Sequence, residues 1–257
     1  YCVSLELLKL LNHYQYPYVI FTRSDLISKD EYLKEINPKL GCVQFSISSI
    51  NEELSKKLEP GAPSPARRLK ALKALNKEGV WTVVRVNPLF PDRADGFYSS
   101  SVPVSQESKN LFLPFSDLSI VDAVAEANTK AILFGFGRFS AYAVKQISSV
   151  VGFDFKSFFS ETVVKKSPRE FHYSNSEIDS YYRKYRQRCK DTGVQFTTCY
   201  IGNGEQHFWK HQNLWDNKKD CCNIINKVEK FKTTCREVPF ETRVKLGRSK
   251  EAKPVSD

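Results

Sequence analysis

Strand-like and helix-like runs alternate along the first 151 of the 257 residues. Strands are expected where short β-branched and aromatic runs occur, and helices where leucines recur on one side of a longer run. Alternation with short connections predicts parallel strands with helices packed outside them. We therefore expect an α/β fold, a partial parallel (β/α) barrel of which the chain holds only part. The predicted strands are 18–22, 42–47, 81–86 and 131–136, and the main predicted helices are 64–78, 116–129 and 141–151.

Polar side chains stand where these predicted strands end. Arg23 follows the first strand, Ser46 and Ser48 share one face of the second, and Arg85 and Asn87 share one face of the third. The carboxyl ends of the strands carry the functional site in parallel barrels. A buried polar group without a partner costs about 1–3 kcal/mol. Either these five residues bind a ligand, or Arg85 pairs with a carboxylate and the serines bond to the backbone.

The region beyond residue 151 is basic. Residues 165–236 hold 15 Lys or Arg against 8 Asp or Glu, which is most of the net charge of +10. Several of these cations surround a helix predicted over 177–190. Such a distribution suits nucleic acid, and a solvated basic face gives the same pattern. We expect a barrel domain over 1–151, a basic extension completing the barrel face over 152–240, and a disordered tail over 241–257.

The cysteines indicate reduced thiols. There are seven, an odd number, and no secretory signal or Cys-x2-Cys pair occurs, which favours a cytoplasmic protein over a disulfide framework. Cys199 lies at the end of a strand predicted over 194–200, and Cys221 and Cys222 lie in a later turn. If the turn folds back over the barrel face, these three thiols could bind a metal ion or donate a hydrogen atom. The alternative is that they pack as buried thiols.

The segment from Ser46 to Pro91, with Thr22-Arg23-Ser24-Asp25-Leu26, resembles the radical S-adenosyl-L-methionine (SAM) enzymes, specifically their spore photoproduct lyase-like (DNA photolyase-like) branch. The resemblance covers about residues 5–137 and, more loosely, 173–223. It implies a partial barrel in which an iron–sulfur (4Fe-4S) cluster cleaves SAM to a radical. It also implies that Arg23 and Ser46 face the SAM carboxylate and ribose, and that Arg85 and Asn87 line the same pocket.

The chain departs from this family in its cysteines. Members bind the cluster with a Cys-x3-Cys-x2-Cys run, and the sequence contains no such run. Without cluster thiolates the chain has no electron donor for SAM cleavage. We therefore expect the C-terminal portion of a radical SAM lyase-like enzyme, inactive by itself, whose cluster loop lies on an N-terminal segment or a second chain. Nucleic acid is the expected substrate.

The alternative function is a non-catalytic nucleic-acid-binding protein built on a decayed barrel. It rests on the net charge, on the basic helix over 177–190 and on an aromatic and basic stretch over 153–173. Aromatic rings interleaved with cations suit single-stranded nucleic acid. A membrane-spanning protein is not expected, because every apolar run is short and broken by charge.

Overall fold

The computed structural model of the chain describes residues 3–89, 118–151, 154–159, 161–163, 170–173, 175–199, 211–217 and 220–229. The α-helices are α1 (Val3–His13), α2 (Asp30–Leu33), α3 (Glu52–Leu58), α4 (Pro65–Lys77), α5 (Ser119–Glu126), α6 (Ala141–Val151) and α7 (Asn175–Thr192). The strands are β1 (Tyr18–Thr22), β2 (Gly41–Ser46), β3 (Trp81–Leu89), β4 (Ala131–Phe136), β5 (Phe139–Ser140), β6 (Glu161–Val163), β7 (Glu170–His172) and β8 (Gln195–Thr198).

The main sheet has five strands in the order β1-β2-β3-β4-β8, and all neighbouring pairs are parallel. In its register Ser46 lies opposite Arg85 and Phe134 lies opposite Thr198. A small antiparallel sheet has the order β5-β7-β6. The expected α/β class with a partial parallel barrel is confirmed. The predicted strand near residue 194 joins the sheet as β8, whereas the predicted tail over 241–257 lies outside the described residues.

The two faces of the main sheet are packed differently. One face, with Phe45, Val84 and Phe134, lies in the large apolar core beneath the helices. The other face, here called the inner face, holds a small apolar cluster of Val83, Ala131 and Leu133. Alternation along β2 and β3 sends Gln44, Arg85 and Asn87 to this inner face.

Residues 220–229, here called the strap, lie against the inner face. The Trp81 indole nitrogen donates to the carbonyl of Asn223 at 2.7 Å, and the Lys227 ammonium lies 3.9 Å from the centre of the Trp81 ring. The amide of Glu229 donates to the carbonyl of Lys39 at 2.7 Å. The strap therefore fastens a distant part of the chain to the amino-terminal end of the sheet.

Local sequence signals place the connections between strands. Ser64 caps α4 by accepting from the amide of Arg67 at 3.4 Å, and Gly79 after this helix has a φ of 76°. That left-handed conformation is one that glycine adopts at little cost. The helix α3 was not predicted; it is capped by Asn51, which accepts from the amide of Leu54 at 3.0 Å. No helix within the described ranges is long and apolar enough to cross a bilayer.

Candidate functional site

Arg85 is the centre of a polar layer on the inner face. Its Nη1 donates to Oε1 of Gln44 at 3.0 Å, its Nη2 lies 4.0 Å from Sγ of Cys199, and its Cζ lies 5.2 Å from the centre of the Phe21 ring. Side chains from β1, β2 and β3 and the residue after β8 thus meet at one guanidinium. Among the described residues no carboxylate pairs with Arg85. The ion pair considered as a structural role for this arginine is therefore not present in that part of the chain.

The strap brings two more thiols to this layer. Gln44, which is fully buried, donates from Nε2 to the carbonyl of Cys222 at 2.9 Å, and Thr197 Oγ1 donates to the carbonyl of Cys221 at 2.7 Å. The two sulfurs lie 3.7 Å apart. Cys199 and Cys222 both pack against the inner apolar cluster. Cys199, Cys221 and Cys222, here called the thiol cluster, therefore lie on one face.

The surroundings shift the pKa values of the two adjacent thiols, Cys221 and Cys222, in opposite directions. A hydrogen bond from Cys221 lowers the pKa of Cys222 to about 6, and a hydrogen bond from Gln44 and the charge of Arg85 act in the same direction against burial. The same contact with Cys222 raises the pKa of Cys221, and burial adds to it. A thiolate is the nucleophilic form of cysteine. The arrangement therefore favours a thiolate on Cys222 with Cys221 as the donor.

A metal site is the other role considered for the thiol cluster. Over the described ranges no group of three His, Cys, Asp or Glu side chains is placed to hold a metal ion. Residues 200–210 and 230–257 lie outside those ranges, so the metal role of Cys199, Cys221 and Cys222 stays a prediction.

A separate cavity of about 310 Å³ opens at the carboxyl ends of the strands. Its lining includes Arg23, Ser48, Glu59 and Pro88. Nε of Arg23 lies 3.0 Å from Oε1 of Glu59. The Ser48 hydroxyl oxygen is buried and has no hydrogen-bond partner among the described residues. The cavity thus offers a ligand the guanidinium of Arg23 and the hydroxyl of Ser48, which can both still form hydrogen bonds.

Arg68 supports this cavity from behind and was not among the predicted site residues. Its side chain is 1% exposed; it donates to the carbonyl of Pro63 at 2.7 Å and to the carbonyl of Ser46 at 3.0 Å, and it lies 2.6 Å from Oε2 of Glu59. The sequence contains a signal that Arg68 is buried. Arg68 has helical spacing with Leu72 and Leu75 on the apolar side of α4, and a cation in that position needs buried partners.

Asn87 sits over a glycine of β4. A Cβ built on Gly135 would lie 2.8 Å from Nδ2 of Asn87 and 3.1 Å from Cβ of Cys199. Residue 135 therefore has to be glycine for Asn87 and Cys199 to lie this close to the backbone of β4. This contact joins Asn87 to the layer around Arg85.

The predicted binding residues fall into two groups. Arg23 and Ser48 line the 310 Å³ cavity. Arg85 and Asn87 lie beside the thiol cluster and are not among the residues that line this cavity. Ser46 takes part through its backbone, since its carbonyl accepts from Arg68. That the two groups bind one ligand stays a prediction.

The basic face of α7 is largely paired with carboxylates. Arg183 lies 2.7 Å from Asp179, Arg186 lies 3.6 Å from Asp216, and Arg188 lies 2.8 Å from Asp122. The remaining predicted cations on this helix, Lys184 and Lys190, are exposed. Three of the five cations are thus paired with carboxylates, which weakens the prediction that this helix contacts nucleic acid.

No family model matches the chain. It is 36% identical over 75 residues to an uncharacterized protein of Acidianus two-tailed virus, covering 29% of this chain and 25% of that protein. It is 32% identical over 81 residues to an uncharacterized protein of Methanocaldococcus jannaschii, covering 31% of this chain and 30% of that protein. The matched stretches thus span less than a third of these relatives.

The similarity to solved structures is broader. Spore photoproduct lyase complexed with dinucleoside spore photoproduct matches 77% of this chain with a TM-score of 0.55 and 14% identity. A mutant of that enzyme with bound AdoMet and dinucleoside spore photoproduct gives the same values. In both comparisons this chain spans 55% of the length of the spore photoproduct lyase chain. The matched part of the chain therefore shares the fold of spore photoproduct lyase.

Proposed function

We propose that this chain is the SAM-binding portion of a radical SAM enzyme of the spore photoproduct lyase-like type, and that this enzyme acts on nucleic acid. The observation that carries the proposal is the cavity at the carboxyl ends of the strands. It combines Arg23 with the unpartnered Ser48 hydroxyl, at the edge where parallel α/β sheets bind ligands.

The charges around the cavity fit the amino-acid end of SAM. Arg23 and Arg68 lie on either side of the single carboxylate of Glu59, so one positive charge remains. A guanidinium binds a carboxylate well, and Glu59 can accept from an ammonium group. Ser48 offers a hydroxyl to the ribose. When bound, SAM would supply a reactive sulfonium; the chain's own residues hold the two ends of the molecule and orient them.

The described residues do not fit an iron–sulfur cluster. They contain no group of three ligating side chains, and the sequence has no Cys-x3-Cys-x2-Cys run. We therefore place cluster ligation on a segment or chain outside these 257 residues, and we expect no radical chemistry from these residues alone.

Nucleic acid as the substrate class rests on two observations. The net charge is +10, and spore photoproduct lyase, with which the chain shares its fold, is seen in complex with a dinucleoside spore photoproduct. Because α7 is largely neutralised by ion pairs, we place the expected contact at the strand ends rather than along this helix. Fluorescence anisotropy with a labelled DNA oligonucleotide tests it: binding should weaken steeply as salt rises.

The SAM site is tested by calorimetric titration of the chain with SAM. Arg23→Ala should weaken binding by about tenfold or more, because a hydrogen bond to a charged group contributes about 1.5–3 kcal/mol. Arg183→Ala is the matched control. Arg183 is also an arginine in a surface ion pair, with the side chain 60% exposed against 56% for Arg23. This control should leave SAM affinity unchanged.

Two results would contradict the proposal. One is the absence of saturable SAM binding by the folded chain; the other is an equal affinity loss in Arg23→Ala and Arg183→Ala. Arg85→Ala in the same titration decides whether Arg85 and Asn87 belong to the SAM site. Thermal melting of each variant separates a lost contact from a lost fold.

A further inference from the structure

Arg85 differs from six other described arginines in its partners. Each of these six pairs with a carboxylate at 3.6 Å or less: Arg23, Arg67, Arg68, Arg183, Arg186 and Arg188. Arg85 instead contacts an amide oxygen, a cysteine sulfur and an aromatic ring. A guanidinium has five N–H donors, so an anionic group can bind to those that the amide oxygen does not use.

Gln44 holds this guanidinium in place. It is fully buried, its Nε2 donates to the carbonyl of Cys222 at 2.9 Å, and its Oε1 accepts from Arg85 at 3.0 Å. Because a carbonyl can only accept, the amide nitrogen faces the strap and the amide oxygen faces Arg85. The carboxylate of Asp220 accepts from two backbone amides of the strap, at 3.1 and 2.7 Å. Arg85 is thus positioned by an uncharged partner, and Asp220 is engaged within the strap.

Phe21 places an exposed ring next to this cation. In the register of β1 and β2, Phe21 lies opposite Gln44, so both side chains lie on the inner face. The centre of the Phe21 ring is 5.2 Å from Cζ of Arg85, within the range of a cation–π contact. Phe21 is nevertheless 59% exposed. The guanidinium therefore supports one side of the ring, and the rest of the ring is open to solvent.

We propose that Phe21 and Arg85 form a subsite for one nucleotide of a single-stranded nucleic acid. The Phe21 ring stacks on the base, and the Arg85 guanidinium binds a neighbouring phosphate. Unpaired bases stack on aromatic side chains in this way, and a guanidinium can hold a phosphate through two parallel hydrogen bonds. A small carboxylate ligand would use Arg85 and leave the ring exposed, whereas a nucleotide uses both side chains.

This inference rests on the proposed function, since it names the residues that would contact the nucleic-acid substrate. It assigns Arg85 to that substrate rather than to SAM. The position of Arg85 agrees with this assignment, because Arg85 is not among the residues that line the 310 Å³ cavity.

The phosphate contact is tested with the full chain and a fluorescently labelled single-stranded oligothymidylate, by anisotropy over a series of salt concentrations. Arg85→Gln should weaken binding about tenfold or more, because a hydrogen bond to a charged group is lost. It should also reduce the slope of log K against log salt by about 0.7, the contribution of one phosphate of a single strand. Arg85→Lys keeps the charge and should keep the slope. Arg183→Gln, at an exposed arginine of α7, is the control and should also keep it.

The base contact is tested with Phe21→Leu. This variant should bind the oligothymidylate about fivefold more weakly or worse, with the salt slope unchanged, because stacking carries no charge. On an abasic oligonucleotide of the same length it should bind as well as the unchanged chain, whereas Arg85→Gln should still bind more weakly. Tyr142→Leu, at a 73% exposed aromatic residue of α6, is the control. Thermal melting confirms that each variant is folded.

Three results would overturn the subsite: an unchanged salt slope in Arg85→Gln, an equal loss by Phe21→Leu on the normal and the abasic strand, or a loss of SAM affinity in Arg85→Gln without a loss of DNA affinity. If the chain binds DNA and neither variant differs from it, the subsite is wrong and the proposed function stands. A chain that binds no DNA contradicts the nucleic-acid part of the proposed function as well.

Discussion

Replacing Arg68 with methionine removes a buried cation from behind the candidate cavity. Methionine keeps most of the length and apolar stem of the side chain, so the change is mainly one of charge and hydrogen bonding. Three partners lose their donor: the carbonyls of Pro63 and Ser46 and the carboxylate of Glu59. Arg23 remains the partner of Glu59 on its other oxygen.

The cost follows from burial. Breaking a buried ion pair destabilises a protein by about 3–5 kcal/mol. Here the loss arises mainly at the two carbonyls that are left without a donor, because Glu59 keeps Arg23 as its partner. Here Arg68 is 1% exposed and Glu59 16% exposed, so we expect the free energy of unfolding to fall by that amount. For a protein of this size the melting temperature should fall by about 6–20 °C.

The neighbouring residue provides the control. Arg67 lies on the same helix and pairs with Asp25 at 2.7 Å, but its side chain is 65% exposed. An exposed ion pair contributes about 0–1 kcal/mol. Urea denaturation followed by tryptophan fluorescence, with thermal melting, should therefore separate Arg68→Met clearly from Arg67→Met.

Equal destabilisation by the two substitutions would refute the reasoning, and so would a loss of under about 1 kcal/mol for Arg68→Met. A further variant tests the stated cause. Because Glu59 keeps Arg23 as its partner, Glu59→Gln added to Arg68→Met should restore no stability.

Three more outcomes are expected. Gly135→Ala places a methyl group 2.8 Å from Nδ2 of Asn87, so it should lower the free energy of unfolding by about 1–3 kcal/mol; unchanged urea denaturation would contradict the close contact. Asn76→Ala leaves buried Thr82 and Thr129 without their amide partner; a loss of about 1–3 kcal/mol is expected in the same assay, and a neutral result would argue against this network. The pKa of Cys222 is lowered to about 6 by Cys221, Gln44 and Arg85, against burial and the charge of Asp220. Its alkylation by iodoacetamide should therefore rise as pH passes through about 6 and then level off; a rate that keeps rising to pH 9 would contradict it. Because the folded pKa is depressed, the thiolate stabilises the fold fully above the unfolded pKa, and this contribution is lost as pH falls through the folded value.

The sequence predicted the sheet well because its signals are local. β-branched runs, the Ser64 cap and Gly79 mark the strands and α4 without reference to other parts of the chain. The helix α3 was missed although Asn51 and two glutamates form a normal helix start. The segment that follows α3, Pro60-Gly-Ala-Pro-Ser-Pro65, is typical of a turn and masks the short helix before it.

The layout of the site was only partly predictable. Alternation put Arg85 and Asn87 on one face, and the structure places both on the inner face. The division of the binding residues depends on the pairing of Arg23 with Glu59, which no local pattern encodes. Arg68 was not predicted as a site residue, because only its spacing with the leucines signals that it is buried.

The strap also has a consequence for the order of folding. Its bonds to Trp81 and Gln44 join residues 142 and 178 positions apart. Contacts of such long sequence separation form late, because a large loop must close, at a cost in chain entropy, before the contact contributes any free energy. The four parallel strands β1 to β4 can pair before residue 220 leaves the ribosome, and until the strap docks their inner face is exposed to water. A nascent chain in this state should be the form that proteases and chaperones recognise, and docking of the strap would then be the step that ends this vulnerability.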